Sequence, residues 1–134
     1  SWLGAFDRAM LALVKRYGIL RDGYPYCLQM DDRNQTIAFS HGRLVFVFNW
    51  HPSASIPDYE LPVQAPGKYV PLLSTDERRF GGQERQAMDG EHFSFPAQDG
   101  DNTERPHIRI YNTSRTATVY LRTDGRQPSA VTGK

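Results

Sequence analysis

The stretch Arg43–Trp50, RLVFVFNW, limits the fold more than any other part of the chain. Successive side chains of a strand point to opposite faces. Leu44, Phe46 and Phe48 therefore share one face, and Val45, Val47 and Asn49 the other. A strand with one wet face would alternate apolar with polar residues. This one is apolar on both faces, so it belongs at the centre of a sheet covered on both sides. Further β-rich runs lie at Thr36–Ser40, Asp58–Val63, Lys68–Ser74, Glu91–Phe95, His107–Tyr111 and Thr116–Arg122. His41-Gly42 gives a two-residue hairpin signal between the first run and the central one. Pro62 and Pro71 place their runs at sheet edges or bulges, because proline cannot donate to a ladder. Short strands with turn signals between them imply an antiparallel sandwich or barrel.

The first seventeen residues follow a different period. Leu3, Phe6, Met10, Leu13, Val14 and Tyr17 recur three or four apart, the stripe of an amphipathic helix. Gly18 supplies a left-handed stop, and Lys15 and Arg16 sit in the last turn, where the helix dipole favours cations. Leu11 and Ala12 widen the apolar face. One helix followed by about eight strands is lopsided. No strand precedes the helix, so it is not a crossover, and Ser1 starts inside the helical pattern. Both features suggest a piece of a longer protein, with the helix face left without its partner. Such an uncovered face would invite self-association. Residues 1–20 form the helical lead, 21–122 the sandwich and 123–134 a tail with little to bury; Asp99–Arg105 reads as a polar loop.

Composition removes several function classes. The net charge is +1, which offers no field for nucleic acid or an anionic membrane. No apolar run is long enough to cross a bilayer. Cys27 is the single cysteine, so no internal disulfide demands an oxidising compartment, and the expected location is cytoplasmic. The two N-x-[ST] sequons, at Asn34 and Asn112, are few enough to arise by chance.

Signals for chemistry are sparse. The spacings of His41, His51, His92 and His107 match no zinc pattern, and no cofactor fingerprint is present. FGGQER lacks P-loop spacing, and no nucleophile elbow occurs. The acidic residues lie in turns or beside prolines, where they usually bend the chain. That leaves the aromatics Trp50, Tyr59, Tyr69 and Phe80, and in FVFNWHPSASIPDYEL the residues Trp50, His51 and Tyr59 are candidates for holding a sugar. Aromatic rings stack on sugar faces, but rings at strand ends also fill cores. For Trp50, core or interface packing is weighted above ligand stacking. Asn49, Asp58 and Tyr59 are read as fixing the corner between two strands.

Several segments taken in order carry a resemblance. They are LxxFDRAMxxLxKRYGIL, IAFSHGRLVFVFNWHPSASIPDYEL, PGKYVPLLSTDERRFGG, HFSF and SRTATVYL. Together they resemble the C-terminal part of the 1,4-α-glucan branching enzymes, in the α-amylase clan. The resemblance implies an all-β antiparallel β-sandwich behind a (β/α)8 barrel, with the opening helix as the last helical stretch of that barrel. It also implies a parent enzyme that cleaves an α-1,4 bond and rejoins the glucan at a 6-hydroxyl, a retaining double displacement. The family's catalytic carboxylates sit on barrel strands, whose motifs do not occur in these 134 positions, so no catalytic residue carries over. Trp50 departs from the phenylalanine often found in relatives. The implied partners are an α-glucan, through the parent enzyme, and the barrel itself. Asp76, Arg79, Gly81 and Gly82 of TDERRFGG are candidates for the face that touches the barrel. Three readings stay open: an accessory domain that stabilises the barrel, a glucan-binding module, and an unrelated immunoglobulin-like interaction domain. The last lacks a Cys…Trp…Cys framework.

Overall fold

The computed structural model describes residues 2–18, 23–96 and 105–123. Helix α1 spans Trp2–Tyr17 and stops where expected: Gly18 adopts φ 59° and its N–H donates to Lys15 O at 3.3 Å. Eight strands follow: β1 (Tyr26–Asp31), β2 (Thr36–His41), β3 (Leu44–Asn49), β4 (Ile56–Pro62), β5 (Lys68–Ser74), β6 (His92–Phe93), β7 (His107–Asn112) and β8 (Thr116–Arg122). Every pairing between them is antiparallel. One sheet has six strands in the order β1-β2-β3-β8-β5-β6, and the other consists of β4 and β7. The all-β sandwich predicted from the sequence is the observed fold.

β3 explains itself in this setting. It lies between β2 and β8, and its two faces serve two cores. Val45 and Val47 face inward, where Leu28, Leu61, Tyr69, Ile108 and Tyr120 close the space between the sheets. Leu44 and Phe46 face outward, where they pack with Leu73, Val119 and Phe6 of α1. The helix is thus the second cover that β3 required.

That arrangement corrects one expectation. The apolar stripe of α1 is not orphaned: Ala9, Met10, Leu13, Val14 and Tyr17 all pack against the outer face of the six-stranded sheet. Phe6 meets Phe80 edge-on at 5.2 Å, which ties the helix to the 3-10 turn Arg78–Phe80. Leu11 and Ala12, which widen the stripe in sequence, lie outside this contact and are exposed. The argument for self-association through the stripe falls with the orphaned face.

Other differences are local. His41 pairs with Leu44, so the tight turn is Gly42-Arg43, one residue later than read, with Gly42 at φ 62°. β1 was not anticipated. It is an edge strand with Tyr26, Cys27 and Met30 exposed and Leu28 as its buried anchor, so its sequence lacks the alternation that marks a half-buried strand. The run Glu91–Phe95 keeps only His92 and Phe93 as a strand, plus a bridge from Phe95 to His107. The proline readings hold: β5 has a bulge between Pro71 and Leu73, and Pro62 ends a strand of the two-stranded sheet. Thr123 is not frayed, since its N–H donates to Lys68 O at 2.8 Å. Residues 124–134 of the tail and 99–104 of the polar loop lie outside the described residues.

Candidate functional site

The corner after β3 is built on Asn49, a buried amide at the end of an apolar strand. Its Nδ2 donates to Asn112 Oδ1 at 3.2 Å, and its Oδ1 accepts the His51 N–H at 2.8 Å. Asn112 Nδ2 in turn donates to Thr36 Oγ1 at 2.9 Å. This chain of buried polar groups is satisfied and links β2, β3 and β7 across the two sheets. His51 holds the loop: its Nδ1 accepts the N–H groups of Ser53 (3.2 Å) and Ala54 (2.9 Å). That fixes the tautomer, with Nδ1 unprotonated.

Tyr59 lies in the core between the sheets, and only 7% of it is exposed. Its hydroxyl donates to Asp31 Oδ2 at 2.7 Å. Burial first, and then Asp31, push that hydroxyl's pKa far above the usual tyrosine value. Burial raises the Asp31 carboxyl too, but hydrogen bonds from Asn34 and Tyr59 outweigh it and hold the group below its ordinary value. The preceding Asp58 takes φ 52° inside a bulge between Ile56 and Tyr59, and it is exposed. Tyr59 therefore shares no surface with Trp50 and offers no ring face to a sugar.

The TDERRFGG loop folds back on itself. Asp76 is 2% exposed, and its carboxylate is committed on both oxygens. Oδ1 accepts Arg85 Nε at 3.0 Å and Oδ2 accepts the Gln86 N–H at 2.7 Å. Arg85 continues to Ser114, reaching Oγ at 3.0 Å and the carbonyl at 2.9 Å. Gln86 donates to the Tyr120 hydroxyl at 2.9 Å, so the loop is anchored in the inner core. Of the four residues nominated as a docking face, Asp76, Gly81 and Gly82 line one cavity, while Arg79 lines another. Arg79 pairs with Glu77 at 3.0 Å and lies over the Phe80 ring at 4.6 Å. Among the described residues, no group of three or more His, Cys, Asp or Glu could hold a metal ion.

Trp50 is the nominated aromatic that remains accessible. Phe46, Phe39, Phe48 and Trp50 form a continuous row of stacked rings, the last pair 5.9 Å apart and 21° from parallel. Phe39, Phe46 and Phe48 belong to the core under α1; Trp50 is 61% exposed. Of the core or interface packing weighted above ligand stacking, core burial does not describe it. Thr75, Arg115 and Thr116 stand beside it around a cavity of about 380 Å³. No local pattern marks these three, because strand pairing, not spacing along the chain, brings them to Trp50: Asn49 is the partner of Thr116.

A family model for the alpha amylase, C-terminal all-beta domain matches residues 26–123, the whole sandwich from β1 to the end of β8. The chain belongs to that family. An unrelated immunoglobulin-like domain is thereby set aside. A 1,4-alpha-glucan-branching enzyme 2-2, chloroplastic/amyloplastic, of Arabidopsis thaliana is 38% identical over 119 residues, covering 88% of this chain and 14% of that protein. The 1,4-alpha-glucan-branching enzyme of Solanum tuberosum is 40% identical over 96 residues, covering 72% and 11%. That of Felis catus is 35% identical over 125 residues, covering 92% and 18%. The chain thus spans less than a fifth of the length of these relatives. In this alpha-amylase C-terminal domain the satisfied amide corner and the locked Asp76 loop serve the fold, and Trp50 is the accessible aromatic group among the nominated residues.

Proposed function

We propose that the chain is the accessory C-terminal domain of a 1,4-α-glucan branching enzyme, and that it stabilises a catalytic barrel to which α1 belongs. The supporting observation is the seat of α1. The helix that leads into the sandwich shares one core with the outer sheet face, through Phe6, Leu44, Phe46, Leu73 and Val119. A helix fixed that way couples the folding of whatever precedes it to the folding of the sandwich. The α-glucan and the barrel are the partners of this reading, and its compartment is a reducing one such as the cytosol, consistent with Cys27 as a free thiol. Neither nucleic acid nor a membrane is invoked. Among the described residues no helix is long and apolar enough to cross a membrane.

The test is a truncation of the full-length enzyme after Gly18, which keeps α1 and removes the sandwich. The expected product is insoluble or unfolds at a much lower temperature, because the apolar stripe of α1 loses its cover. A truncated enzyme with unchanged melting temperature and branching activity would refute the stabilising role. The 134-residue chain alone is expected to show no branching activity.

A further inference from the structure

We propose that Trp50 is the stacking platform of a surface subsite for a single α-glucan chain. The stacked row of rings gives the first reason. It runs out from beneath α1 and ends in one accessible indole held rigid from behind by Phe48. A glucose ring has an apolar C–H face that packs on such a ring, and a rigid aromatic loses little entropy on binding.

The surroundings give the second reason. Beside the indole lies the cavity of about 380 Å³ bounded by Thr75, Arg115 and Thr116. The same three residues bound a second cavity of about 380 Å³, where Gln83 and Ser114 add polar groups. Each lies within the roughly 300–1,000 Å³ common for small-ligand sites. One apolar floor continuing into a polar trough suits a linear oligosaccharide, with one unit on Trp50 and the next along the trough.

The third reason is charge. Arg85 in the trough is neutralised by Asp76. Arg115 is exposed, makes no ion pair among the described residues and sits at φ 57° on the rim. A single free guanidinium beside hydroxyl groups suits the vicinal hydroxyls of a neutral sugar. An anionic ligand would need more positive charge than this. A protein partner on the same patch would have to cover Trp50 while leaving the Arg115 fork solvated or paired. The choice of α-glucan as the sugar rests on the branching-enzyme reading; the geometry of the subsite does not.

The experiment is a calorimetric titration of the 134-residue chain with maltoheptaose, with indole fluorescence as a second readout. Binding is expected. Trp50→Ala should weaken it at least about tenfold, equivalent to 1.4 kcal/mol. Arg115→Asn should weaken it by a similar factor, and asparagine tolerates the left-handed backbone there. Tyr26→Ala, on the far edge strand, should leave it unchanged. No binding at millimolar sugar would overturn the proposal, as would binding that Trp50→Ala leaves intact. A third outcome also overturns it: in the full-length enzyme, Trp50→Ala lowers the melting temperature while maltoheptaose affinity stays the same, which would make the patch a domain interface. The accessory role would survive any of these results, because the truncation tests it separately.

Discussion

At the scale of single residues, Gly82 carries a constraint that is easy to misread. Glycines in turns are usually explained by a left-handed backbone, and Gly81 beside it does adopt φ 82°. Gly82 does not have a positive φ. A Cβ there would lie 2.2 Å from the carbonyl carbon and oxygen of Asp76 and 2.4 Å from Thr75 O. Those are backbone atoms, held by the Asp76 carboxylate on Arg85 and Gln86, so they cannot swing aside. Gly82→Ala should therefore destabilise the chain by about 3 kcal/mol or more, at the upper end of overpacking costs. Gly18→Ala is the contrast: nothing lies within 4 Å of its Cβ position, and only its φ of 59° resists. It should cost roughly 1–2 kcal/mol, the usual left-handed penalty. Urea denaturation of both variants measures the difference. Equal losses would mean that the loop yields where the geometry says it is locked.

At the scale of elements, α1 behaves as part of the domain that follows it. Phe6 is 6% exposed and contacts both the outer sheet cluster and Phe80. Phe6→Ala should cost about 3 kcal/mol, as aromatic truncations in cores do. Leu11→Ala, on the 58% exposed side, should change stability by less than about 0.5 kcal/mol. If the Phe6 variant were no less stable than the parent chain, the helix would not be a structural layer. The same scale shows what the sequence could and could not reveal. The two apolar faces of β3 announced a covered central strand, because alternation is a local property. The identity of one cover was not local: it came from a helix some thirty residues upstream, which the period alone left without a partner. β5 illustrates a second limit. Tyr69 and Leu73 are four residues apart and should share a face, yet Tyr69 lies in the inner core and Leu73 in the outer one. The bulge between Pro71 and Leu73 shifts the parity. Pro71 hinted at a bulge, but no pattern says which residues change sides. Trp50 and Tyr59 end up in different settings for a related reason. Sequence shows that an aromatic lies near a strand end, but not whether the opposite layer extends far enough to cover it. Tyr59 of β4 is covered by the six-stranded sheet, whereas Trp50, beyond Phe48 on the outer face, stays in the open.

At the scale of the whole molecule, three tyrosines from different strands close the space between the sheets. Tyr59 comes from β4, Tyr69 from β5 and Tyr120 from β8, and all are at most 7% exposed. Burial raises the pKa of each hydroxyl above the ordinary 10.0; at Tyr69 the charge of Arg122 opposes the rise without cancelling it. The consequence for stability has a definite sign. Below pH 10 these hydroxyls are protonated in both the folded and unfolded chain and add no slope. Above pH 10 the unfolded chain releases protons that the folded chain retains, so the unfolded state binds fewer protons and stability falls as pH rises. The fold should thus hold a plateau up to about pH 9 and lose stability steadily between about pH 10 and pH 12, with the loss set by three groups acting together. Tyr120→Phe removes one of them and should make the alkaline slope shallower, even though the variant starts less stable for lack of the Gln86 hydrogen bond. Urea midpoints across that pH range, read with tyrosinate absorbance to time ionisation against unfolding, decide the matter. Ionisation of all seven tyrosines before any loss of structure would mean that the space between the sheets admits hydroxide. Ionisation of the exposed ones first, with the last three appearing only as the fold collapses, is what a sealed inner core requires.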